Sequence, residues 1–136
     1  MMNSSKCFLH GLTALLFTLS SQVFAFETQQ ISQAQLMSLL AAPKTPEFIV
    51  LDVRSQEEFA RGHIAGAVNI SHDALAENMT QISRYKNAKV IVHCRSGRRA
   101  AIAESLLSEQ GFTGVRHLSG DIKGWQSAGL PLVQTP

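Results

Sequence analysis

Cys94 opens the part of the sequence in which reactive side chains are most concentrated. It follows an apolar run at residues 90–92 and precedes a helix-like apolar stretch that begins at Ala100. The intervening loop consists of Arg95, Ser96, Gly97, Arg98 and Arg99. A loop between a strand and a helix directs backbone N–H groups and the helix N-terminus inward, which suits an anion. The same surroundings favour a cysteine thiolate, so the segment predicts a nucleophilic sulfur in an anion-binding loop.

The first 25 residues differ in character from the rest of the chain. Lys6 gives a short polar start a positive charge, residues 8–19 are largely apolar, and small residues stand at Val23 and Ala25. This pattern is typical of a secretory signal peptide, and the apolar run is short for a membrane span. We expect residues 1–25 to be cleaved, with a membrane anchor as the alternative. Residues 26–136 would then form one domain in a bacterial periplasm, without membrane attachment.

The composition of the predicted mature chain excludes several classes of partner. Residues 26–136 carry eleven lysines and arginines against ten acidic residues, a net charge of about +1. Such a balance does not favour binding to nucleic acid or to a membrane surface. Removal of Cys7 with the leader leaves Cys94 as a lone cysteine, which cannot form an internal disulfide. A free thiol is a liability in an oxidising compartment, so we expect it to be used, with an inert buried cysteine as the alternative.

Apolar runs alternate with helix signals along the predicted domain. Helices are predicted from the capping residue Ser32, from Ser55 to about Gly62, as one or two turns within 71–85, over 99–110, and around Trp125. Strands are predicted at residues 28–31, 48–51, 67–70, 89–93 and 115–118. This alternation indicates an α/β fold of three layers, with a central, mainly parallel five-stranded sheet and helices on both faces.

Ligands of such folds bind beyond the carboxyl ends of the strands, and three polar segments fall there. They are the loop after Cys94, the segment 52–54 and the segment 119–121. We expect Asp52 to accept hydrogen bonds from loop N–H groups and Arg54 to form an internal ion pair. Both residues would then support the site rather than touch a substrate.

Three segments together resemble the signatures of the rhodanese-like sulfurtransferases. They are residues 51–54 with 57–59, 62–64 and 66–70; the loop 94–99; and residues 118–120 with Trp125 and 128–131. The match extends over nearly all of residues 30–133, although Asp121 stands where many members have a second glycine. With its leader, the chain is most similar to the periplasmic, single-domain phage-shock-protein-E type.

The resemblance implies a rhodanese-like fold and a persulfide cycle without a cofactor. The Cys94 thiolate would take a sulfur atom from a small anionic donor such as thiosulfate and pass it to a thiophilic acceptor, cyanide or a thiol. The N–H groups of residues 95–99 would surround that sulfur, and Arg99 would close the loop at the helix start. Arg95 and Arg98 would project outward and attract anions, while Ser96 and Gly97 would shape the turn. No feature of the sequence predicts a dimer, so we expect a monomer.

Two other functions remain compatible with the loop. A cysteine phosphatase or arsenate reductase places an arginine after Cys and five residues, whereas Arg99 follows Cys94 after four. The shorter loop favours one sulfur atom over a tetrahedral oxyanion. The second alternative is a module that binds a ligand or carries sulfur without turnover. His93 directly precedes Cys94 on a strand, so its side chain is expected on the opposite face, and no His, Cys or carboxylate spacing predicts a metal site.

Overall fold

The structure is a computed structural model that describes residues 27–42 and 47–136. The predicted signal peptide, residues 1–25, and the segment 43–46 lie outside the described residues. The strands are β1 Gln29–Ile31, β2 Phe48–Asp52, β3 Val68–Asn69, β4 Lys89–His93 and β5 Gly114–Leu118. The helices are α1 Gln33–Ala41, α2 Gln56–Arg61, a 3₁₀ helix Met79–Tyr85, α3 Arg98–Glu109 and α4 Asp121–Ser127.

Within the described residues, five strands form one sheet in the order β1-β5-β4-β2-β3, and each neighbouring pair is parallel. In the central register, Leu51 pairs with Val92, and Val92 pairs with His117. The parallel arrangement brings the carboxyl ends of β2, β4 and β5 to the same edge. Segments that are far apart in the sequence, after Asp52, His93 and Leu118, therefore meet there.

Helices cover both faces of this sheet because the strand side chains alternate between them. One face packs against α3 and the 3₁₀ helix through Leu51, Val92, Ile82, Ala103 and Leu107. The other face packs against α1 and α4 through Val50, Ile91, Leu36, Ile122 and Trp125. The predicted three-layer α/β fold is confirmed. No helix in residues 27–42 and 47–136 is both long and apolar enough to cross a membrane.

The serines predicted to cap two helices do so in the structure. Ser32 and Ser55 each form a capping box, with Gln35 and Glu58 respectively. Differences occur at weaker elements: β3 has two residues instead of four, because it pairs with β2 over two positions at the sheet edge. The segment 71–85 consists of turns followed by the 3₁₀ helix, in which Ile82 is buried.

Candidate active site

Cys94 follows the last residue of β4 and forms part of the wall of a cavity of about 490 Å³. The residue is 1% exposed, so its thiol is reached through the cavity rather than from the open surface. The remaining lining residues are His72, Arg95, Ser96, Arg98, Arg99 and Ile102. Four of the five loop residues predicted from the sequence therefore line this cavity, and Gly97 does not.

The backbone of Cys94 is held on both sides. Its N–H donates to Asp121 Oδ1 at 2.9 Å, and its carbonyl accepts from the Ile122 N–H at 3.1 Å. The same carbonyl lies 3.0 Å from His93 Nδ1. Burial lowers the pKa of His93, so the ring is neutral at pH 7 and its Nδ1–H donates to the carbonyl. These bonds fix the direction of the Cys94 side chain.

Gly97 connects the loop to α3. Its N–H lies 3.0 Å from Cys94 Sγ and donates to it, and Gly97 is also the N-cap of α3. Its φ of 113° is in the left-handed region, which favours glycine. A backbone donor and the N-terminus of a 12-residue helix therefore both stabilise negative charge on the sulfur.

Arg99 is fixed by an ion pair with α2. Its Nη1 lies 2.6 Å from Glu58 Oε2, and its Nη2 lies 3.0 Å from Oε1. The Arg99 hydrogen bond lowers the pKa of Glu58 to about 2. The pKa of Arg99 is raised, first by Glu58 and to a smaller extent by the neighbouring Cys94 sulfur. Arg99 thus presents a fixed positive charge at the thiol, whereas Arg95 and Arg98 are exposed at the cavity rim.

Asp52 and Arg54 form a buried ion pair beside the site. Arg54 Nη2 lies 2.6 Å from Asp52 Oδ2, and the Arg54 N–H donates to Asp52 Oδ1 at 3.0 Å. Arg54 Nη2 also donates to the Gly62 carbonyl at 2.9 Å. Neither residue lines the Cys94 cavity. The pair connects the end of β2 to the end of α2. Helix α2 also carries Glu58, which forms the ion pair with Arg99 of α3.

The geometry can be compared with known proteins. A family model described as "Rhodanese-like domain" matches residues 32–128. The chain belongs to the rhodanese-like domain family. It is 36% identical over 91 residues to thiosulfate sulfurtransferase 16, chloroplastic, of Arabidopsis thaliana, which covers 60% of this chain and 76% of that protein. It is 36% identical over 70 residues to thiosulfate sulfurtransferase PspE of Escherichia coli K12, which covers 52% of this chain and 67% of that protein.

A solved structure supports the same assignment. The crystal structure of a rhodanese-related protein from Thermoplasma volcanium superposes with a TM-score of 0.68 at 31% identity, covering 79% of this chain and 99% of that one. The rhodanese-like fold expected from the sequence motifs is confirmed.

Sequence reasoning missed a charged cluster beneath the loop 94–99 of this rhodanese-like domain. It consists of Glu104 on α3, His117 on β5 and Asp121 at the start of α4. Glu104 and Asp121 are 5% and 3% exposed. A signal existed for Glu104, because it lies beside Ala103 and three residues before Leu107 on the buried side of α3. An acidic residue at such a position requires a buried partner.

The chemistry open to this site follows from its donors and charges. The Cys94 sulfur lies against a backbone N–H and a fixed arginine, in the wall of a cavity with two further arginines at its rim. Such a site suits nucleophilic attack by sulfur on a small anion. In the described part of the chain, no three His, Cys, Asp or Glu side chains are placed to hold a metal ion.

Proposed function

We propose that the protein is a thiosulfate sulfurtransferase that carries a sulfane sulfur on Cys94. The donor is thiosulfate or a similar small anion, and the acceptor is cyanide or a thiol. Support for transferase activity comes from family membership and from relatives named as sulfurtransferases. The observation that carries the proposal is the Cys94 sulfur in an arginine-lined cavity, with the Gly97 N–H 3.0 Å away.

The reaction proceeds in two displacements. The Cys94 thiolate attacks the outer sulfur of thiosulfate, the S–S bond of the donor breaks, and sulfite leaves with the bonding electron pair. Cys94 then carries a persulfide with one negative charge. Cyanide or a thiolate attacks the outer sulfur of that persulfide, which releases thiocyanate or a new persulfide and restores the Cys94 thiolate.

The charges of the site match the first displacement. Thiosulfate and sulfite are dianions, so Arg95 and Arg98 at the rim attract the donor. Arg99 lies next to the sulfur, where the negative charge shifts during transfer. The short loop, which places Arg99 five positions after Cys94, fits one additional sulfur atom among its N–H groups.

Mass spectrometry of the purified protein tests the proposal. Thiosulfate should add the mass of one sulfur atom to the wild type and nothing to Cys94→Ser, and cyanide should remove that mass with formation of thiocyanate. Cys94→Ser should retain the wild-type circular dichroism spectrum and lose transfer at least about a thousandfold, since no other nucleophile replaces the thiolate.

The other outcomes separate the alternatives. An adduct that no acceptor removes would indicate a sulfur carrier. A free thiol without any adduct would indicate a binding module, and hydrolysis of an aryl phosphate instead of sulfur transfer would indicate a phosphatase.

We also propose that residues 1–25 direct export and that the mature protein acts as a periplasmic monomer. The pattern of Lys6, the apolar run 8–19 and Ala25 supports export. Expression of the full chain in a bacterium, followed by osmotic shock and intact-mass measurement, should recover a protein that begins at Phe26. Light scattering should give the mass of one chain. Recovery of the uncleaved chain in the membrane fraction would contradict the proposal.

A further inference from the structure

A continuous chain of charged side chains runs beneath the catalytic loop. Glu104 Oε1 lies 2.5 Å from His117 Nδ1, and His117 Nε2 lies 3.1 Å from Asp121 Oδ2. The other oxygen of that carboxylate, Oδ1, accepts the Cys94 N–H. This series of hydrogen-bonded side chains therefore connects α3 through β5 and α4 to the backbone of Cys94.

The geometry determines the charge of the central ring. An imidazole donates from both nitrogens only when it is protonated. Both nitrogens of His117 face carboxylate oxygens, and a neutral ring would direct a lone pair at one of them. The hydrogen bonds that His117 donates to Asp121 and Glu104 accordingly raise its pKa to about 10. His117 is an imidazolium throughout the physiological pH range.

The same ring keeps Asp121 ionised. Burial opposes ionisation of this carboxyl, but the hydrogen bonds from His117 and from the Cys94 N–H hold its pKa below the ordinary value. A carboxylate thus lies directly under the loop, 3.3 Å from the position that a Cβ on Gly97 would take. Without a counter-charge it would oppose a second negative charge on Cys94.

We propose that His117 is a positioning residue, whose imidazolium neutralises Asp121 so that this carboxylate can hold the Cys94 N–H without opposing the thiolate. The inference deepens the proposed function and rests on it for the role of Cys94 as sulfur carrier. It also gives a role to Asp121 at a position where many members of the family have glycine: its φ of 53° is otherwise unusual for a side-chain-bearing residue.

Other charged and titratable groups also surround the sulfur, and they are the same in the wild type and in a variant of His117. Positive or titratable groups face the cavity from the loop, from α3 and from the segment after β3, and His93 lies behind Cys94 on β4. They are Arg95, Arg98, Arg99, His72 and His93. None of them contacts His117 through a hydrogen bond or ion pair among the described residues.

The test is the pH dependence of Cys94 alkylation by iodoacetamide, a neutral reagent that the arginines do not attract. His117→Gln retains an N–H donor for Asp121 but carries no charge. We expect the midpoint of the rate–pH curve to rise by about one pH unit, with an unchanged limiting rate at high pH. Misplacement of the thiol would instead lower the limiting rate.

A second variant supplies the rescue. In His117→Gln/Asp121→Asn the carboxylate that opposes the thiolate is gone, while the Asn Oδ1 still accepts the Cys94 N–H. We expect the midpoint to return to within about 0.3 units of the wild type, because the two substitutions act on one interaction. Arg116→Gln removes the same charge from the adjacent, oppositely facing position of β5 and is expected to leave the midpoint unchanged.

An unshifted midpoint in His117→Gln, or a double variant that stays shifted, would overturn the inference. If His117→Gln does not fold, the imidazole ¹⁵N resonances of the wild type decide the matter. Both His117 nitrogens should remain protonated at about pH 8, and a neutral ring would contradict the proposal. Alkylation does not depend on sulfur transfer. If the midpoint shifts in His117→Gln as expected but the wild type takes no sulfur from any donor, the result would therefore contradict the proposed function alone.

Discussion

Cys94 combines burial with access, and this follows from the atoms around it. Its backbone is fixed by Asp121 and Ile122, and its sulfur receives the Gly97 N–H. Donors that are already in place need no rearrangement when negative charge develops on the sulfur. The position of the Gly97 backbone is therefore one of the features on which the reactivity of the thiol depends.

At this scale we predict that Gly97→Ala impairs sulfur uptake. The positive φ disfavours alanine, and the new Cβ would lie 3.3 Å from Asp121 Oδ2. We expect a loss of about 1–2 kcal/mol in the free energy of unfolding and a roughly tenfold lower rate of persulfide formation. Urea unfolding and the mass-spectrometric time course measure these two quantities.

Gly66→Ala is the matched control for this substitution. Gly66 has a φ of 80°, but no atom lies within 4 Å of the position that the alanine methyl group would take. It should show a similar loss of stability with the wild-type rate of sulfur uptake. Equal rates for Gly97→Ala and Gly66→Ala would show that the Gly97 N–H does not serve the sulfur.

Among the secondary-structure elements, α2 and α3 are joined by the ion pair between Glu58 and Arg99. Glu58 forms the capping box of α2 with Ser55, and the same side chain also pairs with Arg99 in the first turn of α3. Local helix formation and the placement of a site charge thus use the same carboxylate. Removal of Glu58 should weaken the start of α2 and release the Arg99 guanidinium from its position beside Cys94.

We predict that Glu58→Gln lowers the free energy of unfolding by about 1 kcal/mol at neutral pH and slows sulfur uptake. The folded-state pKa of Glu58, about 2, lies below its ordinary value of 4.5. Its contribution to stability is therefore fully present above pH 4.5 and is lost as the pH falls toward 2. Urea unfolding between neutral and acidic pH should show a smaller acid-dependent loss in Glu58→Gln than in the wild type.

Glu57→Gln provides the comparison within the same helix turn. Glu57 has an exposed side chain and no ion pair with Arg99. Its replacement should leave sulfur uptake unchanged. A comparable loss of uptake in both variants would mean that the α2–α3 ion pair does not position Arg99.

The whole molecule is organised by the carboxyl edge of its parallel sheet. The ends of β2, β4 and β5 bring the Asp52–Arg54 pair, Cys94 and Asp121 together, and α3 on one face supplies both Arg99 and Glu104. The charged chain through His117 joins β5, α3 and α4 beneath the loop. Stability and site geometry therefore depend on the same buried charges, and both should respond to pH together.

We predict that stability falls at alkaline pH through His117. Its folded-state pKa, about 10, lies above its ordinary value of 6.5. The contribution of the imidazolium is fully present below pH 6.5 and is lost as the pH rises through 10. Between about pH 6.5 and 9.5, the wild type should lose on the order of 2 kcal/mol more than His117→Gln. Urea unfolding at both pH values measures the difference, and parallel losses in the two proteins would contradict it.

Much of the fold and part of the site could be predicted from the amino-acid order alone. The continuous apolar runs of β2 and β4 indicate strands buried on both faces, and the serines at 32 and 55 begin helices through contacts three residues away. These signals are local, so they act before the chain is folded. The loop from Cys94 to Arg99 could be singled out as a candidate site for the same reason, since it is one contiguous segment.

Tertiary structure alone decided which distant charges meet. Glu58 and Arg99 are 41 positions apart, and Cys94 and Asp121 are 27 positions apart. Their contacts depend on strand order and on the packing of α3 and α4, which no spacing in the sequence encodes. The pattern of α3 indicates that Glu104 needs a buried partner, but for this reason it does not identify His117 and Asp121 as the residues that complete the cluster. A buried charge is stable only with its partner, and the parallel sheet edge brings these partners together.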